Sequence, residues 1–366
     1  MPFAISQDRV ADRILEKAVH GERLNLEEGI LLFSCDVLTL GKAATIVRDR
    51  MHPGGIITFI VDRNVSYTNA CIVDCDFCAF YRRPRDQDAY TLSMDQIFAK
   101  IQELVDLGGT QVLIQGGVNP ELPLEFYLNM IRTLRQQFPT VQIHSFSVVE
   151  IDFIAKKERL PLRDVLLRLK EAGLNSIPGG GAEILVERVR DIISPKKMDS
   201  DGWVHFMREA HLVGLRSTAT MVFGHIETLE ERILHMERLR LLQDETHGFR
   251  AFICWTLSPN GTPRMSQFRQ AGGEDYLKTL AISRIFLDNI ENIQSGWLTE
   301  GIKLGQVALG FGANDMGGTL LEDKVLEPTG MSASGTRKED LIRLIREAGY
   351  IPAQRNTNYE VLQIFN

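Results

Sequence analysis

The feature that most restricts the fold of this chain is an alternation that begins near residue 57 and continues almost to the C-terminus. Short apolar, β-rich segments recur: ITFIVDRNVSY (57–67), QVLIQGG (111–117), VQIHSF (141–146), NSIPGGG (175–181), STATMVFGHIE (217–227), GFRAFICW (248–255) and ENIQSGW (291–297). Helical stretches separate them. Ser93 with Gln96 opens a helix to Leu107, residues 123–138 form another, and Pro161 opens a helix that Gly173 stops. Strands that alternate with helices are joined by crossovers and lie parallel. Seven or eight such βα units predict an α/β fold, a (β/α)8 barrel of the TIM type. An open doubly wound sheet is the alternative, but no G-x-G-x-x-G closes the first strand. Asn25 with Glu28, and Asp36, mark helices ahead of HPGG (52–55). A last helix begins near Thr336, with Glu339 completing a capping box, and NYEVLQIF (358–365) reads as a closing strand. The expected organisation is a helical extension over 1–55, a barrel over 56–330, and a C-terminal helix and tail over 331–366.

Five of the 366 residues are cysteine, an odd number and too few for a disulfide scaffold, which points to the reducing cytoplasm. The N-terminal MPFAISQDRV lacks the basic start and apolar stretch of a signal peptide. No apolar run approaches the ~20 residues a membrane span needs. A net charge of −7 argues against nucleic-acid or anionic-membrane partners. The RRPR run (82–85) therefore reads as a solvated lid.

Three of the five cysteines fall in one short stretch, CIVDCDFC, as Cys71, Cys75 and Cys78. The spacing C-x3-C-x2-C lets a single loop aim three thiolates at one centre. A structural zinc site closes with a fourth ligand, and no second C-x2-C or H-x3-H pair lies nearby. Cys35 and Cys254 stand in apolar runs and read as core residues. A 4Fe-4S cluster normally takes four cysteines; three leave one iron open to bind a small molecule. A cluster or zinc ion with a distant fourth ligand is the alternative.

Other candidate sites sit at strand exits, where a parallel barrel builds its active site. The glycines of IQGG (114–117) and IPGGGAE (177–183) admit close backbone approach or form tight turns. The second lacks the lysine of a phosphate loop. In GHIE (224–227), His225 is a proton acceptor or a structural histidine, and Glu227 a base or a helix cap. Glu183 faces substrate or serves as a helix N-terminal charge. Asn314 and Asp315, in GANDMGG, are placed at the end of the last barrel strand. Trp297 packs on substrate or on the barrel wall.

C-x3-C-x2-C with Phe77 just before its last cysteine, following a β-rich segment, resembles the radical S-adenosylmethionine (SAM) superfamily. DRNVSYTNACIVDCDFCAFYR, IQGGVNPELPLEFY, IHSFSVVEI, SIPGGGAEIL, STATMVFGHIET and SGWLTEGIKLGQVALGFGANDMGG resemble the futalosine-pathway family of menaquinone biosynthesis, from about residue 57 to 330. HSFS, SIPGGGAEIL and ATM are most similar to the cyclase branch, which acts on dehypoxanthine futalosine. The aminofutalosine synthase branch shares CAF, PGGGAE and GHIET. Val148–Val149 stand where the cyclases carry Pro–Pro, and Cys254 where they carry proline.

The resemblance implies a 4Fe-4S cluster on Cys71, Cys75 and Cys78, whose open iron chelates the amino and carboxylate groups of SAM. It implies that Gln115, Gly116 and Gly117 contact the methionine end. Ser147 and Glu150 would lie at the ribose and Phe77 near the adenine. Tyr81 and Arg82 would tune the cluster electrostatically. Glu183, His225, Glu227 and Asp315 are the candidate catalytic bases. An electron donor such as flavodoxin or ferredoxin is the implied protein partner.

Overall fold

The computed structural model describes residues 9–322, 324–330 and 335–366. The barrel wall is built from β1 (Ile56–Ile60), β2 (Asp62–Val65), β3 (Gln111–Ile114), β4 (Gln142–Ile143), β5 (Ser176–Ile177), β6 (Arg216–Phe223), β7 (Phe249–Thr256), β8 (Asn292–Gln294) and β9 (Asp315–Gly318). The segment expected as one strand over 57–67 is two, because it changes partner midway. On one side Thr58 and Ile60 pair with β9. On the other, β1 runs beside β10 (Ile351–Arg355) and β2 beside β3. Between them the Val61 carbonyl accepts the Thr110 N–H at 3.0 Å.

From β3 the ring continues to β4. It crosses to β5 at the parallel bridge His144↔Ser176, where the Ser145 N–H donates to the Ser176 carbonyl at 3.0 Å. It then runs in parallel pairs through β6, β7, β8 and β9 back to β1. With β1 and β2 counted as one position, these strands form an eight-position (β/α)8 ring.

Local signals set the helices around it. Asn25–Glu28 and Ser93–Gln96 form reciprocal capping boxes, Asp36 accepts the Thr39 N–H, and Gly173 ends helix Leu162–Ala172. The helix near Thr336 starts later, at Lys338, with Arg337 at its cap and no side-chain capping bond. The Thr336 N–H is held by the Thr319 carbonyl at 2.9 Å, which ties Thr336 to the strand side of that turn. Helices Leu26–Leu31 and Val37–Met51 lie directly on the barrel's helical layer. A Cβ on Gly29 or Gly41 would stand 2.8 or 2.7 Å from the rings of Phe286 and Phe311. Residues 1–8 of the expected helical extension lie outside the described residues. No helix among the described residues is long and apolar enough to cross a membrane.

The C-terminal segment goes beyond the expected helix and single strand. β10 and β11 (Val361–Ile364) form an antiparallel pair whose first strand lies parallel to β1. Because β10 pairs with β1 and not β2, this pair sits at the end of the ring where the strands begin, opposite the strand exits.

Inside the ring, partly exposed strand residues pair across strands: Asn64 with Leu113, Val222 with Trp255, and Ile253 with Gln294. Their neighbours along each strand are mostly buried. Alternation of this kind in a closed parallel barrel marks the face turned to the lumen.

Candidate active site

The cysteine loop leaves β2 at the strand-exit end and is stitched down on every side. Cys71 N–H donates to the Arg82 carbonyl and Arg82 N–H to the Asn69 carbonyl, each at 2.8 Å, so the loop closes on itself. The Arg82 side chain donates to the carbonyls of Ala79, Phe80 and Tyr81. On one flank Ile72 N–H donates to the Val118 carbonyl (3.1 Å) and Gly117 N–H to the Thr68 carbonyl (2.9 Å). The approach is close: a Cβ on Gly117 would stand 2.3 Å from the Ala70 carbonyl oxygen and 2.8 Å from Cys71 Cβ. Glycine in IQGG is thus a packing requirement. On the other flank Asp76 N–H reaches the Ile193 carbonyl (3.0 Å) and Lys196 pairs with Asp74 (2.7 Å). Arg264 pairs with the Asp76 carboxylate at 2.7 Å.

Cys71, Cys75, Phe77 and Cys78 pack in one small apolar cluster with Val73, Val118, Val149 and Phe153. Burial pushes the Cys75 thiol up to about 12 and raises Cys78, with Lys197 pulling both the other way. Lys197 is nearly buried. Its Nζ lies 2.8 Å from Glu183 Oε1 and 4.9 Å from the centroid of the Phe77 ring. Burial disfavours its charge, but Cys75 and Glu183 more than offset this and hold the ammonium above the ordinary lysine range. Glu183 has a positive φ of 42°, is buried, and sits 3.6 Å from Arg190. Its Oε2 is buried with no hydrogen-bond partner. Asp74 (φ 44°) and Phe146 (φ 63°) share that backbone strain at neighbouring strand exits, and such strain concentrates at functional sites.

The exits of β3, β4 and β5 converge. Around Gly180 the nearest atoms are Gln115 Nε2 (3.0 Å from a Cβ placed there) and Ser147 Cβ (3.9 Å). Ser147 caps helix Val148–Glu158 in a box with Glu150. The Glu150 carboxylate accepts from the Tyr67 hydroxyl (2.8 Å), Gly116 N–H (3.2 Å), Ser147 N–H (2.7 Å) and Ser147 Oγ (2.7 Å). Burial raises this carboxyl to about 7 against the pull of those donors. Both oxygens are engaged, so Glu150 ties the ends of β2, β3 and β4 together at the place expected for the SAM ribose.

The donor set suits an iron–sulfur cluster with an open corner. Three thiols share one half-buried loop, and the nearly buried Lys197 ammonium lies against its Phe77 ring. Cys35 and Cys254 are elsewhere in the core, and the Cys254 thiol faces Ser283. Among the described residues no group of three or more His, Cys, Asp or Glu closes tightly enough on a single metal ion. The corners of a four-iron cube lie further apart than ligands on one ion.

Comparison with known proteins fits this geometry. Residues 65–239 match the family model of the radical SAM superfamily, and residues 246–366 that of the CofH/MqnC C-terminal region. The chain is 45% identical to the cyclic dehypoxanthine futalosine synthase of Halalkalibacterium halodurans, over 97% of this chain and 95% of that one. It is 40% identical to the aminodeoxyfutalosine synthase of Thermus thermophilus, covering 96% of each. It is also 40% identical to the 5-amino-6-(D-ribitylamino)uracil–L-tyrosine 4-hydroxyphenyl transferase of Methanothermobacter thermautotrophicus, over 96% and 97%. The crystal structure of methylornithine synthase shares the fold with a TM-score of 0.74 at 20% identity, over 93% and 97%.

The chain belongs to the radical SAM superfamily.

It is an enzyme, and the cofactors of its superfamily are a 4Fe-4S cluster and SAM. Three of the four sequence-derived bases are held in local hydrogen-bond networks. Glu227 accepts from Gly224 N–H (2.6 Å), His225 N–H (2.9 Å) and Arg232 (2.9 Å), while Thr228, not Glu227, caps the next helix. His225 Nε2 bonds the Val222 carbonyl (3.0 Å), and Nδ1 lies 2.8 Å from Ile226 N and 3.1 Å from Glu227. Burial pushes this imidazole below its ordinary value. Both side chains pin their own turn.

Asp315 begins β9 instead of ending a strand, so it lies at the far end of the ring. It is fully buried in a two-pronged pair with Arg355 of β10. Trp297 donates to the Gly318 carbonyl at 3.2 Å and belongs to the wall. Sequence reasoning missed Lys197, an unremarkable lysine in a loop until the fold brings it over the Phe77 ring of the cysteine loop. It also missed the lumen face of Trp255, Ile253 and Gln294. The strand alternation around FICW carried that second signal.

Proposed function

We propose that this enzyme converts dehypoxanthine futalosine to cyclic dehypoxanthinyl futalosine, a step of menaquinone biosynthesis. The observation that carries the reading is end-to-end identity of 45% with a synthase of that name. In support, Cys71, Cys75 and Cys78 stand on the strand-exit face and are proposed to hold the cluster, with Gln115, Gly116, Gly117, Ser147 and Phe77 bordering the SAM site. When bound, the cluster and SAM would supply a 5′-deoxyadenosyl radical able to take the ribose C4′ hydrogen, and the cluster, oxidised in making that radical, would be the acceptor for the electron released on return to aromaticity.

The chain's own residues then have three tasks. The strand-exit loops and the lumen exclude water, so the substrate carbon radical meets its own benzoate ring instead of solvent. Trp255, Ile253 and Val222 form an apolar wall for that ring. Glu183, the candidate base with a carboxylate oxygen lacking any hydrogen-bond partner, accepts the proton released on return to aromaticity. A low-potential one-electron protein such as flavodoxin or ferredoxin is the proposed donor, in the cytoplasm.

The test is anaerobic turnover of reconstituted enzyme with SAM, a reductant and each substrate in turn. Ring closure gives free 5′-deoxyadenosine and a cyclised product from dehypoxanthine futalosine. Addition of adenosine to an enolpyruvyl benzoate would establish aminodeoxyfutalosine synthesis, the reading that the Thermus relative favours. Product from tyrosine and the ribityl-uracil would establish 4-hydroxyphenyl transfer. Trp255→Ala is expected to lower kcat/KM roughly tenfold or more through loss of apolar contact. Steady-state kinetics at unchanged iron content measures this, and an unchanged kcat/KM removes Trp255 from the substrate wall.

A further inference from the structure

We infer that Lys197 is an electrostatic positioning residue for the cluster: its ammonium, held over the Phe77 ring of the cysteine loop by Glu183, offsets the charge of the loaded loop and raises the cluster's reduction potential. The inference rests on the three-thiol loop as cluster site and is independent of which futalosine-pathway reaction follows.

Three observations support it. Lys197 Nζ is fixed at both ends of its reach, 2.8 Å from Glu183 Oε1 and 4.9 Å above the Phe77 ring, and Phe77 lies between Cys75 and Cys78 in sequence. The segment that carries it is clamped to the loop: Asp76 N–H bonds the Ile193 carbonyl at 3.0 Å, and Lys196 pairs with Asp74 at 2.7 Å. Lys197 therefore moves with the cysteines. Finally, Glu183 keeps one buried oxygen with no hydrogen-bond partner, although Arg190 approaches it at 3.6 Å. The pair is thus an anion with spare acceptor capacity and a cation placed on the aromatic ring between Cys75 and Cys78.

A cube held by three thiolates is a net anion, and one-electron reduction makes it more negative. In a half-buried loop, where water screens charge less than in bulk, a fixed cation therefore stabilises the reduced state more than the oxidised one. Removing the cation makes reduction harder, and removing its counter-anion makes reduction easier.

The experiment is an EPR-monitored redox titration of reconstituted enzyme, without SAM or futalosine substrate, with iron and sulfide content measured alongside. At the poise where half the native clusters are reduced, Lys197→Met is expected to show a reduced-to-oxidised ratio roughly tenfold lower. Lys197→Arg should restore it, and Glu183→Gln should shift the midpoint in the positive direction. A loaded Lys197→Met enzyme that titrates at the native midpoint overturns the inference. Should Lys197→Met fail to fold or load, Glu183→Gln decides alone: a positive shift upholds the inference, an unchanged or negative one overturns it. Failure of the native enzyme to take up a cluster would instead defeat the cluster assignment itself.

Discussion

Cys75→Ala protein, reconstituted anaerobically with iron and sulfide, is expected to fold, to carry essentially no 4Fe-4S cluster, and to release no 5′-deoxyadenosine from SAM. The native chain should take up roughly four irons. The reasoning is local. Burial pushes the Cys75 thiol up to about 12, and bound iron would supply the charge that compensates a buried thiolate. With one ligand gone, two cysteines and no neighbouring substitute remain, because Cys35 and Cys254 are buried at distant positions. Cys71→Ala and Cys78→Ala should behave alike. Cys254→Ala is the control. Its thiol is fully buried in β7 against the helix Gly273–Phe286, so its loss leaves a small cavity and should leave iron content and turnover intact. Iron analysis, the visible spectrum and a deoxyadenosine assay read all four variants. Cluster and turnover retained in any one of the first three would remove that cysteine from the ligand set.

The parts of this fold written in nearest-neighbour terms were legible in the sequence. The capping boxes at Asn25 and Ser93, the stop at Gly173 and the strand–helix alternation need only a few residues each, and they gave the barrel. The cysteine spacing gave the loop, because one short segment brings all three thiols together. What depends on the whole ring was hidden. Asp315 looks like an active-site acid by its place in GANDMGG. It falls at the wrong end because a helix (Ile302–Val307) and a 3-10 turn fill the space ahead of it, so the strand begins there instead of ending. His225 and Glu227 lie at a strand exit, as a site residue should, yet a turn of positive φ at Gly224 folds their side chains back on their own amides. Lys197 shows the reverse. It lies more than a hundred residues from Cys75 in the chain, and only the clamp between residues 193–197 and the cysteine loop makes it a neighbour.

Asp315→Asn is expected to reduce stability by about 3–5 kcal/mol while leaving the turnover of the folded fraction within a few-fold of native. The carboxylate is fully buried. It receives Arg355 Nε at 2.5 Å and Nη2 at 2.9 Å, the Thr58 hydroxyl at 2.5 Å and the Gly317 N–H at 2.8 Å. These bonds fasten β10 to β1 and β9, and the Arg355 guanidinium stacks 3.8 Å from the Tyr359 ring, so the C-terminal strand pair is locked at the closed end of the barrel. An asparagine keeps the size and loses the charge, which leaves a buried cation without its counter-ion. Asp62, buried nearby and raised to about 6 by that burial, lies close enough to feel Arg355 and offsets part of the loss. Removing both partners in Asp315→Asn/Arg355→Met should recover much of the stability, since the residual penalty is then packing alone. Urea denaturation gives the stabilities, and deoxyadenosine release per intact cluster gives the activity. A catalytic Asp315 would produce the opposite pattern, with near-native stability and turnover abolished in fully folded, fully loaded enzyme. That pattern would return the residue to the active site and contradict its place at the start of β9.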